Sequence, residues 1–211
     1  MKRSLLLVLL LSALAARADR RALSLDVAGS WNGGTVSAPM AATPKSTLGF
    51  GPAVWLGARY GFTHSLEATA AGFFETPTTM FHNAMTLQTG SGQFNGTLQH
   101  STTRFGGLVG ARLVLGLVWR FHAGVEVGLS QRLNSQLVMI DDRDASAPVD
   151  YGLMLPNASQ TQFAISPVLG LEWQAGDHFS FAVLPRAQIL VGGALSWAVI
   201  VPLQFSWSWF L

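Results

Sequence analysis

Between Trp119 and Leu129 every second residue is apolar: Trp119, Phe121, Ala123, Val125, Val127 and Leu129 alternate with Arg120, His122, Gly124, Glu126 and Gly128. The C-terminus repeats the pattern, with Val199, Val201, Leu203, Phe205, Trp207, Trp209 and Leu211 on one parity and Gln204, Ser206 and Ser208 on the other. A period of two predicts strands with two unlike faces. A strand face of Trp and Phe turned to water is an aggregation hazard, whereas turned to lipid it is stable. The same reading marks residues 23–31, 48–60, 65–74, 103–115, 161–173 and 179–189 as strands. With 119–129 and 196–211 they make eight, each of about the 9–11 residues or more that a spanning strand needs.

The connections support this count. Residues 32–47, 75–102 and 130–160 are long, whereas 61–64, 116–118 and 174–178 are short, and only the last loop, near 190–195, is tight. Long and short connections alternate in barrels that cross a membrane, with the termini on the short-turn side. Aromatic residues fall at both expected interfaces. Tyr60, Trp119, Trp173, Phe179 and Trp209 lie at the short-turn ends, and Trp31, Phe50, Phe74, Phe105, Phe163 and Trp197 at the long-loop ends, with Trp207 inside the last strand. The expected fold is therefore all-β, an eight-stranded antiparallel transmembrane up-and-down β-barrel. A soluble sandwich would have to bury nearly all of these aromatics and present faces rich in Gly and Ala. Residues 85–99, around the turn signal Gly90-Ser91-Gly92, and segments 136–140 and 149–155 have strand character. They read as strand extensions above the membrane. Insertion of one such hairpin would give ten strands, but their central residues are too polar for lipid.

Composition narrows the class further. Apolar residues make up 49% of the chain and charged residues 11%, against about a quarter charged in soluble domains. After the N-terminus no apolar run is long enough for a membrane helix, which leaves the closed barrel as the spanning solution. Residues 1–18 read as a cleaved signal peptide: Lys2 and Arg3, an apolar run from Leu5 to Leu14, then Ala16-Arg17-Ala18. The expected division is a signal peptide at 1–18 and a barrel at 19–211. Without Lys2, Arg3 and Arg17, 10 basic residues face 11 acidic ones, so no nucleic-acid partner is expected. The absence of Cys removes disulfides, thiolate chemistry and a lipoprotein anchor.

The final strand, ending in Phe210 and Leu211, resembles the C-terminal signal of bacterial outer-membrane β-barrels, with Phe penultimate rather than last. Together with the eight segments and the turn rhythm, it makes the whole mature chain similar to the small eight-stranded barrels of the OmpA and OmpX type, without a periplasmic domain. The resemblance implies the bacterial outer membrane, outer-membrane lipid and lipopolysaccharide as surroundings, and the barrel assembly machinery as partner. It carries over no site residues.

The strand phases direct Asp26, Arg59, Glu67, Arg104, Arg112, Arg120, Glu126, Glu172 and Arg186 inward, with His122 beside them. An eight-stranded interior is just wide enough to be filled by side chains, and buried ions must be paired. These residues therefore read as an interior charge network that plugs the lumen. By height, Arg59, Glu67, Arg112, Arg120 and Glu172 group near the short-turn end, and Glu126 lies higher with Arg104 or Arg186. The inward glycines leave room for water, which keeps a narrow channel for ions or small solutes as the alternative. No catalytic, cofactor-binding or metal residues are assigned. His82 and His100 are dispersed loop residues beside Asn83 and Ser101, and no nucleophile, base and orienter assemble for a lipid A-modifying enzyme. The run Asp141, Asp142, Asp144 and Asp150 lacks the spacing of a calcium loop and reads as solvated. The expected function is non-enzymatic, structural and surface-binding, through loops 75–102 and 130–160.

Overall fold

The computed structural model describes residues 22–37, 46–89, 92–141, 159–192 and 196–210. They form β1 (Ala22–Ser37), β2 (Ser46–Thr63), β3 (Leu66–Glu75), β4 (Thr78–Thr89), β5 (Gly92–Gly116), β6 (Trp119–Asp141), β7 (Ser159–Gln174), β8 (Phe179–Val183), β9 (Arg186–Val191) and β10 (Ser196–Phe210). All the pairings are antiparallel. The first and last strands pair from Ala22↔Phe210 to Gly34↔Ala198, which closes the sheet into a ring. β3 and β4 both lie between β2 and β5, and β8 and β9 both lie between β7 and β10. The ten segments are therefore eight staves, two of them interrupted, in an up-and-down β-barrel.

Each interruption falls at proline beside proline. Pro has no N–H for the ladder, so a stave that contains it loses a pairing there. Between β3 and β4, at Thr76-Pro77, the break lies against Pro52, whose carbonyl accepts from the Thr76 N–H at 3.1 Å. Between β8 and β9, Leu184-Pro185 lies against Val201-Pro202, and the β10 pairing is interrupted between Ile200↔Arg186 and Leu203↔Val183 without a change of register. The Pro185 carbonyl still accepts from the Leu169 N–H at 3.1 Å. The sequence reading treated 179–189 as one strand. The structure divides it, yet the alternation passes through undisturbed, with Val183 and Ile189 outside and Arg186 and Gln188 inside.

The strands also run farther than expected at the loop end. β5 has 25 residues, more than twice the about 9–11 that a crossing needs. It pairs with β4 up to Thr89↔Gly92 and with β6 up to Gly96↔Asp141. Much of 75–102 and 130–141 is thus a three-stranded sheet, which bears out the strand extensions expected at 85–99 and 136–140 and carries them into the flanking residues, and it holds His82, His100 and Asp141. By contrast, β6 and β7 pair only as far as Leu133↔Ser159, and β9 and β10 as far as Leu190↔Ser196. Residues 1–21, 38–45, 90–91, 142–158, 193–195 and Leu211 lie outside the described residues, and with them the signal peptide, the turn signal at Gly90-Ser91, segment 149–155, Asp142, Asp144, Asp150 and the last C-terminal position.

The outward face is apolar. Trp31 is 66% exposed and Trp119 64%, and the outward Leu, Val and Phe of every stave are exposed with them. Surface of this kind is a liability in water but suits hydrocarbon, where the closed ring also satisfies the backbone. At the turn end the aromatics touch in sequence from β6 to β10: Trp119 and Trp173 have centroids 6.4 Å apart, Trp173 and Phe181 5.9 Å, and Phe181 and Phe205 5.1 Å. Trp207 lies 5.8 Å from the His178 ring, which also meets Phe210 at 5.6 Å. On the other side of the barrel Tyr60 packs edge-on against Phe62 at 5.0 Å. Trp197 and Trp209 are outward on β10.

The β5–β6 turn depends on one residue. Gly116 has φ +112°, and a Cβ there would come within 2.0 Å of the Trp119 carbonyl oxygen. Gly116→Val is therefore expected to destabilise the barrel by about 1–3 kcal/mol of backbone strain, seen as a lower urea midpoint for tryptophan fluorescence. An unchanged midpoint would mean that the turn relaxes freely.

Candidate functional site: the lumen

Every stave sends alternate side chains into the lumen, so its chemistry is written on one parity of each strand. Near the turns these positions form a cage of charges. Arg59 on β2 is its centre: its Nε lies 2.9 Å from Asp26 Oδ2, and its Nη1 lies 2.6 Å from Glu172 Oε2 and 3.4 Å from Glu67 Oε2. Arg120 closes the cage, with Nη2 3.0 Å from Glu67 Oε1 and Nη1 3.1 Å from Glu172 Oε1. His122 is fully buried against it, with Nε2 3.2 Å from Glu172 Oε2. One carboxylate thus faces three nitrogen side chains from two other staves, the arrangement that offsets the cost of burying charge.

Above the cage, Glu126 is held by Arg112 Nη2 at 2.5 Å and by Arg186 Nη1 at 2.7 Å, and the Thr69 hydroxyl donates to it at 3.1 Å. Arg112 therefore belongs with Glu126 rather than with the turn-end group where the sequence reading placed it. Its Cα partner is Glu67, but its long side chain reaches the next layer. Gly124 makes this possible, because a Cβ there would sit 2.7 Å from Arg112 Cγ. Likewise a Cβ on Gly106 would sit 2.9 Å from the Phe73 ring. At these two positions the inward glycines leave room for neighbouring side chains.

Next comes a layer that the sequence reading missed. Trp55, Phe73, Leu108, Ala164, Leu190 and Ile200 pack together across the lumen. Trp55 stacks on Phe73 with centroids 4.9 Å apart, and the Arg186 guanidinium lies 4.3 Å from the Trp55 ring centre. Periodicity had placed Val54 and Leu56 outward, and the residue between them must then point inward. That signal was present in the sequence. On the loop side of this layer, Glu75 accepts from Asn32 and lies 3.5 Å from Arg104 Nη1. Arg104 thus meets Glu75 and not Glu126. Glu75 lies one residue past the strand that the sequence predicts at 65–74, and it continues the inward parity of Glu67 and Thr69.

The turn-end mouth is a cavity of about 90 Å³, lined by Ser24, Arg59, His64, Arg120, Ser208 and Phe210, and the cage forms its floor. His178 is anchored at the same end, with Nδ1 2.8 Å from the Ser208 carbonyl oxygen. Among the described residues no group of His, Asp and Glu is arranged to hold a metal ion.

Fold and lumen together define a class: a small transmembrane β-barrel of eight staves with a packed interior. The chain has the fold of the small outer-membrane barrels. Neisserial surface protein A has a similar structure, with a TM-score of 0.54 at 7% identity over 88% of this chain and 97% of that one. Ail of Yersinia pestis, solved in complex with the heparin analogue sucrose octasulfate, gives a TM-score of 0.46 at 9% identity over 90% and 99%. The N-terminal β-barrel domain of Pseudomonas aeruginosa OprF gives 0.35 at 12% identity over 88% and 97%. No family model and no curated protein matches the sequence.

Proposed function

We propose that the protein is a non-enzymatic barrel of the bacterial outer membrane that displays a raised sheet at the cell surface. In this reading residues 1–18 are a cleaved signal peptide and the turn end faces the periplasm. Outer-membrane lipid and lipopolysaccharide surround the apolar belt, anchored by Trp31, Tyr60, Trp119, Trp173, Trp197, Trp207 and Trp209. The barrel assembly machinery reads the C-terminal segment that carries Phe210 and Leu211. One observation carries the proposal: the lumen is filled across its width by the Trp55–Phe73 layer, while β4, β5 and β6 continue beyond the rim. A filled interior leaves the surface sheet as the part available to a partner, and loops on rigid scaffolds are where binding commonly resides. The paired charges and the apolar layer weigh against the narrow-channel reading.

Two measurements test this. The refolded protein is expected to be electrically silent in planar lipid bilayers, with folding verified by heat-modifiable gel mobility. Discrete, reproducible conductance steps would overturn the filled lumen. Replacing residues 79–100 by a short turn should preserve heat-modifiable mobility. It should also abolish retention of expressing cells on surfaces coated with serum and matrix glycoproteins. Equal retention of expressing and non-expressing cells would overturn the surface-binding role.

A further inference from the structure

Three prolines stand around the turn-side end of β9: Pro167 on β7, Pro185 just before β9, and Pro202 on β10. Each takes an N–H out of the ladders that join this stave to β7 and β10. The pairing of β9 with β7 runs from Phe163↔Val191 to Ile165↔Ile189, lapses at Ser166-Pro167 and resumes only at Val168↔Arg186. The N–H that Pro167 lacks belongs to that ladder, because Leu169, two residues on, directs its own N–H to the Pro185 carbonyl at 3.1 Å. On the other flank the pairing of β9 with β10 ends at Ile200↔Arg186, just short of Pro202. At its loop end β9 runs into Gly192, whose φ of +148° favours glycine and whose carbonyl accepts from Gln160 Nε2 on β7 at 2.7 Å. A segment of six residues is thus bounded by a break and a bend and flanked by interrupted ladders. By contrast, β6 pairs with β5 and with β7 without a gap from Arg120 to Leu133.

The same segment carries part of the plug. Arg186 reaches Glu126 at 2.7 Å and covers the Trp55 ring at 4.3 Å, and Leu190 belongs to the apolar layer. Between them Gln188 is fully buried, yet neither its amide oxygen nor its nitrogen has a hydrogen-bond partner among the described residues. Glu126 does not depend on β9 alone, since Arg112 at 2.5 Å and the Thr69 hydroxyl at 3.1 Å also hold it. We infer that β9 is a movable strap in the barrel wall. It detaches locally between the Leu184-Pro185 break and Gly192, withdraws Arg186 and Leu190 from the plug and opens the loop-end half of the lumen. Local opening of this kind draws on segments whose hydrogen bonds and buried contacts are few. The Arg59 cage takes no residue from β9, so the motion is compatible with a barrel that is silent in bilayers.

The test is amide hydrogen exchange of the full refolded chain in lipid nanodiscs, read by NMR. The amides of 187–191 are expected to exchange about tenfold or more faster than those of 121–129, the effect of one or two missing hydrogen bonds. The chain has no Cys, so single substitutions can report the motion from inside the lumen. Leu190→Cys and Leu108→Cys both fall in the apolar layer, at 0% and 1% exposure, the first on β9 and the second on β5. A water-soluble maleimide should label Leu190→Cys distinctly faster than Leu108→Cys. Adding Pro167→Val, which returns an N–H to the β7–β9 ladder, should slow that labelling. Amides of β9 as protected as those of β6, equal labelling of the two substitutions, or labelling unmoved by Pro167→Val would each overturn the strap.

Discussion

Replacing Glu172 by Ala is expected to lower the unfolding free energy of the barrel by about 3–5 kcal/mol, the usual cost of removing one partner from a buried ion pair. Glu172 is 1% exposed and meets Arg59, Arg120 and His122 at 2.6, 3.1 and 3.2 Å. Its loss leaves Arg59 held by Asp26 and Glu67, the latter at only 3.4 Å. Arg120 has another recourse, because its side chain is 22% exposed at the mouth cavity. The reciprocal change, Arg120→Ala, should therefore cost distinctly less than Glu172→Ala. Urea unfolding in lipid vesicles, followed by tryptophan fluorescence and by heat-modifiable mobility, measures both. A Glu172→Ala cost below about 1 kcal/mol, the range of exposed pairs, would show that water screens the cage.

Trp55→Ala is expected to cost about 3–5 kcal/mol as well, but through packing. The ring is 2% exposed, stacked on Phe73 and covered by the Arg186 guanidinium. The staves fix its surroundings, so the space it vacates cannot collapse. It also removes the bulkiest member of the layer that blocks the lumen. The variant should therefore combine lower stability with conductance steps in planar bilayers that the parent lacks. Trp55→Phe, which retains a stacked ring, should remain silent. Lower stability without conductance would place the seal elsewhere, in the cage around Arg59 or at Glu75 and Arg104.

The sequence by itself determined the number of staves and the face of nearly every residue. In a sheet with lipid on one side, a period of two leaves no freedom, because a one-residue slip would put Arg120 or Glu126 into hydrocarbon. For the same reason Asp26, Arg59 and Glu172 could be assigned to the interior, and Trp119 and Trp209 to the belt. Periodicity along one strand says nothing about height relative to another strand, nor about how far a long side chain reaches. The closed ring decided those. It set Glu75 against Arg104, drew Arg112 away from its Cα partner Glu67 to Glu126, and brought Trp55, Phe73 and Leu190 from separate staves into one apolar layer. It also set the Leu184-Pro185 break against Pro202, a coincidence of register between strands that neither strand's own sequence contains.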